Sequence, residues 1–240
     1  MYFLNTYILC VAIHAILFVS GAVASLLLDI PLPITTTGPK GYRPTCIINC
    51  SLNLCIVAYA SYLGWTGLFL DRAYNNGYII PHVLSGYFLY DFSTMLVGKK
   101  IGMVTCIHHI GSFILFYFAQ IYDLSHYVCA MGGIGEISTI FLDIMNLMNY
   151  CNIDGTTLLV VKGLFAISFI GIRMMYWPVL YWWWFRHDRP PLEYPVVNMV
   201  VCVMVGLQFM WGWRIVRKMF NTCATINDKH KTIIQGKKIK

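Results

Sequence analysis

Residues 101–121 read IGMVTCIHHIGSFILFYFAQI. The stretch contains no Asp, Glu, Lys, Arg or Pro. At 1.5 Å per residue it makes a helix roughly 31 Å long, about the thickness of a bilayer's hydrocarbon core. His108 and His109 lie side by side within it, where lipid alone gives no reason to keep them. Six further stretches have similar length and character, at about 2–28, 46–70, 78–97, 126–149, 158–185 and 194–216. The 240-residue chain is 58% hydrophobic and 11% charged, whereas a soluble domain carries about 25% charged residues. Too few charges remain to cover a water-facing surface, which excludes a soluble enzyme and a disordered chain. The net charge of +7 does not form a patch on a soluble face, so nucleic acid is not an expected partner. The expected class is an all-α polytopic membrane protein of about seven transmembrane helices.

The basic residues orient it. With the C-terminus in the cytosol, that side receives Lys40, Arg43, Lys99, Lys100, Lys162 and the eight basic residues from Arg214 to Lys240. The opposite side receives Arg72, Arg186 and Arg189, and Arg173 falls inside a span. The excess of Lys and Arg belongs on the cytosolic side, which places the N-terminus in the lumen. Residues 1–39 then form a first helix and a Pro- and Gly-rich loop, 40–220 the main domain, and 221–240 a basic cytosolic tail. Ala22-Val23-Ala24 resembles a signal-peptidase site, but no positive residue precedes the long apolar run, so an uncleaved helix is expected. Tyr181-Trp182-Trp183-Trp184 reads as an interfacial aromatic belt. Lys237 and Lys238 stand fourth and third from the end, in the pattern of a dilysine endoplasmic-reticulum retrieval signal read by the COPI coat. The competing reading is a polybasic tail on anionic lipid.

The informative side chains are those a bilayer should reject. Asp91, Glu136, Asp143 and Arg173 all lie within spans, each costing on the order of 2.5–3.5 kcal/mol on insertion scales. They must pair, lose charge or line a wet cavity. Counting helix rise, Asp91, the two histidines and Asp143 fall roughly 9–12 Å from the cytosolic ends of their helices. Glu136 and Arg173 lie deeper and are candidates for an intramembrane ion pair. Glu136, Thr139 and Asp143 are spaced i, i+3 and i+7 and share a face. Thr105, His108, His109 and Ser112 make a polar patch on the fourth span. The alternative for all of these is interhelical hydrogen bonding without chemistry.

Cysteine and histidine spacings indicate no metal site and no cofactor. The histidines lack the repeated boxes of membrane di-iron enzymes, and the last span lacks the lysine a retinal protein needs. A histidine beside an aspartate can serve as a general base or a nucleophile, with the acid fixing its orientation.

Three blocks carry a family resemblance: Gly86-Tyr87-Phe88-Leu89-Tyr90-Asp91, Ile107-His108-His109-Ile110, and Gly135-Glu136-Ile137-Ser138-Thr139-Ile140-Phe141-Leu142. Arg173 within 169–178 fits a fourth. In order and spacing they resemble the TLC-domain family, closest to its small stand-alone members. The resemblance implies six core helices around a cavity in an endoplasmic reticulum membrane protein of lipid metabolism. In the family's ceramide synthases the histidine pair serves acyl transfer from acyl-coenzyme A to a sphingoid amine. By that likeness His108, His109, Asp91 and Asp143 are the catalytic candidates. Glu136, Thr139, Arg173 and Ser112 are candidates for the substrate cavity or ion pair. The expected partners are membrane lipids and acyl-coenzyme A as co-substrate. Ceramide synthases carry two acids after the histidines; Glu136 falls at the first and Thr139 at the second. That departure supports the other reading, a non-catalytic member that regulates membrane lipid composition or acts as a cargo receptor.

Overall fold

The structure, a computed structural model, describes residues 4–13, 15–16, 43–70, 73–97, 102–121, 126–187 and 195–237. Those residues are helical apart from short turns. A short helix α1 (Leu4–Ile13) is followed by α2 (Arg43–Phe69), α3 (Ala73–Val97) and α4 (Met103–Ile121). Then come α5 (His126–Gly135), α6 (Ile137–Tyr150), α7 (Thr156–Ser168), a π-helical segment (Phe169–Tyr176), α8 (Trp177–His187) and α9 (Pro195–Lys237). Most of the expected first span and its following loop, together with Lys238, lie outside the described residues.

Among the described residues, four segments are long and apolar enough to cross a membrane: Ile47–Phe69, Met103–Ile121, Thr156–Trp182 and Pro195–Asn221. Their outward faces carry exposed side chains such as Ile167, Met175, Val179, Val203 and Trp213, while Asp91, Glu136, Asp143 and Arg173 are buried. Apolar outside and polar inside is the arrangement a bilayer selects. The chain is a multi-pass membrane protein. Helix α3 and the α5–α6 pair run beside these four and are the ones that carry the acids.

The helices close into a ring. In turn α2 packs on α3, α3 on α4, α4 on α9, α9 on the π segment, that segment and α7 on α6, and α6 on α2. One half of the ring is filled. There Val57, Ala60, Leu63, Ile80, Leu84, Phe88, Phe116 and Ala130 form the core. Helix α5 can enter it because of small residues. A Cβ on Gly64 would stand 2.5 Å from the Ala130 carbonyl oxygen, and one on Gly133 would stand 2.5 Å from that of Ala60. Only glycine allows the two backbones this close.

The expected continuous helix over 126–149 is broken. Residues 131–136 read MGGIGE, and three glycines weaken the helix there. At Glu136 the hydrogen bonding tightens to a three-residue step, with its N–H donating to the Gly133 carbonyl at 3.1 Å and its carbonyl accepting from Thr139 at 2.9 Å. Helix α5 packs on both α2 and α3, whereas α6 packs on α2 and α7. The break thus lets α6 part from α3 and opens the other half of the ring.

Helix α6 ends in a Schellman turn. Asn152 takes φ 56°, and Ile153 and Asn152 donate to the carbonyls of Met148 at 2.8 Å and Asn149 at 3.3 Å. Helix α7 follows at once, packed back on α6. The sixth span is likewise not uniform. Pro178 has no N–H to offer the Met174 carbonyl, and just before it the helix widens, with Trp177 N–H donating five residues back to Ile172. Helix α9 continues 21 residues past the expected end of its span at 216, because no proline interrupts it.

Candidate functional site

The open half of the ring holds a cavity of about 860 Å³. Asp91, His108, His109, Glu136, Thr139, Asp143 and Arg173 all line it. Residues from four well-separated parts of the chain therefore converge: Asp91, the histidines and Asp143, expected at one depth, and Glu136 and Arg173, expected deeper, share one cavity. Tyr87, Phe88, Leu142, Phe165, Phe169 and Ile215 supply apolar surface around these polar groups. Such a mixture of a mostly apolar surface and a few convergent polar groups is typical of ligand sites, and the volume is near the upper end of their usual range.

Asp91, on α3, is 2% exposed. Its Oδ1 accepts from Asn49 Nδ2 and Asn53 Nδ2, both at 2.9 Å. Thr94 Oγ1 shares its one proton between the Asp91 carbonyl oxygen at 2.9 Å and Asn49 Oδ1 at 3.1 Å. The other oxygen, Oδ2, stands 3.5 Å from His109 Nε2 on α4. Nε2 of His109 faces that carboxylate oxygen and is the ring nitrogen placed to donate to it, which leaves Nδ1 as the atom with the free lone pair. That Nδ1 is buried and has no hydrogen-bond partner.

His108 points elsewhere, since neighbours on a helix diverge by about 100°. Its ring meets Trp211 of α9 edge-on at 5.0 Å, His109 at 5.4 Å and Phe88 at 5.8 Å. Its Nδ1 is also buried and unpartnered. Asp143, one helix away on α6, is 5% exposed and its Oδ2 has no partner. The carboxylate that touches a histidine is thus Asp91, not Asp143.

Arg173 projects from the π segment into a set of acceptors on the α5–α6 break. Its Nε donates to Ser138 Oγ at 2.7 Å, and its Nη2 donates to Thr139 Oγ1 at 2.7 Å and Glu136 Oε2 at 3.3 Å. Thr139 Oγ1 donates onward to Glu136 Oε2 at 2.7 Å, and Ser138 Oγ to the Gly135 carbonyl at 3.3 Å. Each hydroxyl accepts from the guanidinium and donates to an oxygen, so both hydroxyls are satisfied. The wider turn of the π segment seats the Phe169 ring 5.9 Å from the Arg173 Cζ. Arg173 and Glu136 do meet, and Thr139 joins them.

Ser112 departs from expectation. It is buried on α4 but is not part of the cavity wall. With His109, Phe116 and Ala119 it forms the stripe that α4 buries, and Phe116 belongs to the filled core. One turn beyond His109 the interior is closed. Lys237 ends α9, remote in sequence from the cavity, and Lys238 is not described. Among the described residues no three His, Cys, Asp or Glu side chains converge to hold a metal ion.

Asn49, Asn53, Ser138, Trp211 and Arg214 join the site without having been singled out. An amide or hydroxyl within an apolar helix is common glue and carries no signal of its own; only its spacing to a charged partner on another helix would reveal it.

No curated protein matches the chain. The family model of the TLC domain matches residues 45–217, most of the chain and every helix of the ring. The chain therefore belongs to the TLC-domain family.

Proposed function

We propose that this protein is a lipid acyltransferase of the endoplasmic reticulum membrane that uses acyl-coenzyme A. The observation that carries the reading is the Asp91–His109 contact, in the wall of a large cavity that is otherwise mostly apolar. In this mechanism His109 Nδ1 takes the proton from an acceptor hydroxyl or amine as that atom attacks the thioester carbonyl carbon. A C–O or C–N bond forms and the C–S bond breaks. The thiolate leaves and regains the proton from the imidazolium, so the histidine ends as it began. Asp91, held by Asn49 and Asn53, orients the ring and stabilises its charged form. His108, set against Trp211, shapes the approach of the acyl chain, and Asp143 stands ready as a second acid. Seven membrane spans, a lumenal N-terminus and a cytosolic C-terminus accompany the reading, supported by the distribution of Lys and Arg. The cavity then opens to the cytosol, where acyl-coenzyme A is made. Retrieval through Lys237 and Lys238 by the COPI coat fits the same orientation.

A second reading, a non-catalytic protein regulating membrane lipid composition or receiving cargo, is favoured by one observation. Thr139 stands where ceramide synthases carry an acid and is engaged by Arg173 and Glu136. The test uses the purified full chain, labelled acyl-coenzyme A and a panel of lipid amines, alcohols and lysolipids. General-base catalysis is worth about 10²–10⁴-fold; His109→Ala and Asp91→Asn should lose that much transfer. If no acceptor shows transfer sensitive to either substitution, the enzymatic reading falls and the second one stands.

A further inference from the structure

The cavity has an uneven distribution of charge, and its mouth is cationic. Helix α9 runs antiparallel to α4: Gly111 lies against Val200 and Met204, while His108, earlier in α4, meets Trp211, later in α9. Arg214, three residues beyond Trp211, therefore stands about 4.5 Å further toward the end where α4 begins. It is exposed and lines the cavity, and it has no carboxylate partner among the described residues. The wall residues near that end, Thr94, Thr105, Asn146 and Tyr150, are neutral. The acids lie further in, Asp91 six residues before the end of α3 and Asp143 seven before the end of α6. The interior cation, Arg173, is already engaged by Glu136. An unpaired guanidinium about one turn outward of the histidines is thus left over.

We propose that Arg214 binds the phosphate of the acyl acceptor, which makes that acceptor a lysophospholipid. The inference rests on the acyl-transfer reading for the role of the ligand, but the phosphate site itself does not. Arginine presents a planar fork that matches two phosphate oxygens. The spacing selects the source of the phosphate. In a lysophospholipid the free glycerol hydroxyl and the phosphate are separated by two carbons and an ester oxygen. So short a span suits the offset of about one helical turn between the level of the histidines and Arg214. In acyl-coenzyme A the whole pantetheine arm separates the thioester from the nearest phosphate, which then falls well outside this turn of α9. A sphingoid base has no phosphate and leaves Arg214 unused. The apolar wall of Leu142, Phe165 and Phe169 receives the single acyl chain.

The test is ligand-induced thermal stabilisation of the full chain in phosphatidylcholine nanodiscs. The probes are lysophosphatidic acid, the monoacylglycerol and the acyl-coenzyme A of the same chain, and sphingosine. Arg214→Gln and Arg217→Gln remove the same charge, but Arg217 is exposed one turn on and does not line the cavity. Loss of a charge-assisted hydrogen bond should weaken lysophosphatidic acid about tenfold or more in Arg214→Gln. Arg217→Gln should retain nearly full affinity. Arg214→Lys, which keeps the charge but not the fork, should fall between, and it serves if Arg214→Gln does not fold. Monoacylglycerol and sphingosine should be indifferent to all three variants. Equal losses in Arg214→Gln and Arg217→Gln would mean general surface attraction and would overturn the site. Sensitivity confined to acyl-coenzyme A would assign the phosphate to the donor and overturn the acceptor class. Arg214-dependent binding without histidine-dependent transfer would retain the phosphate site and remove the acyltransferase reading.

Discussion

Replacing Arg173 with leucine tests whether the deep end of the cavity is held together by charge. The guanidinium makes two hydrogen bonds at 2.7 Å, to Ser138 and Thr139, and a contact of 3.3 Å to Glu136. Both ionic side chains are at most a tenth exposed. Leucine would leave Glu136 as an uncompensated carboxylate in an apolar bundle. Breaking a buried pair by removing one partner costs about 3–5 kcal/mol. The pair faces a cavity that can admit water, so the low end, about 3 kcal/mol, is the expectation. For a protein of this size each kcal/mol moves the midpoint by roughly 2–4 °C, so Arg173→Leu should lower it by about 6–12 °C. Tryptophan fluorescence during thermal unfolding in detergent measures this. Adding Glu136→Gln should recover part of the loss, because it removes the stranded charge. Arg173→Lys should fall between wild type and leucine, since an ammonium cannot fork across Ser138 and Thr139. A melt of Arg173→Leu within about 2 °C of wild type would mean that charge does not hold this end of the cavity together. So would a double variant no more stable than Arg173→Leu alone.

Two further outcomes are expected. Asn53→Leu removes one of the two amides on Asp91 Oδ1 at a position 4% exposed, and should cost about 1–3 kcal/mol in the same melt; a neutral result would mean that Asn49 suffices. Replacing Lys237 and Lys238 with serine should release a tagged chain from the endoplasmic reticulum to later compartments by fluorescence microscopy; an unchanged distribution would exclude the dilysine signal.

Much of the site was legible because a bilayer makes charge conspicuous. Asp91, Glu136, Asp143 and Arg173 stand out in apolar runs, and helix rise alone brings Asp91 to the level of the histidines. The i, i+3, i+7 spacing places Glu136, Thr139 and Asp143 on one wall, and all three line the cavity. The same reasoning misassigned Ser112. It shares the buried stripe of His109, but the cavity ends between them, and periodicity reports a face without saying where the space along that face is filled. Asn49 and Asn53 were missed because amides do not stand out, although both lie on α2 at i, i+4 and point at one carboxylate. Arg214 was legible only as one more charge of the basic C-terminal stretch; its place in the wall depends on how α9 lies against α4.

By itself the sequence determined the class, the order of the helices and the identity of the charged groups. These follow from local quantities: apolar length against bilayer thickness, helical period and the cost of a charge in lipid. Tertiary structure alone decided which acid met which histidine, because that depends on the rotation and separation of helices far apart in the chain. It set Asp91 rather than Asp143 against His109. It also decided that there is a cavity at all. Gly64 and Gly133 draw α5 against α2 on one side of Glu136, and the turn at Glu136 frees α6 on the other. Space inside a bundle is what is left when the helices have packed, and no single stretch of chain encodes it.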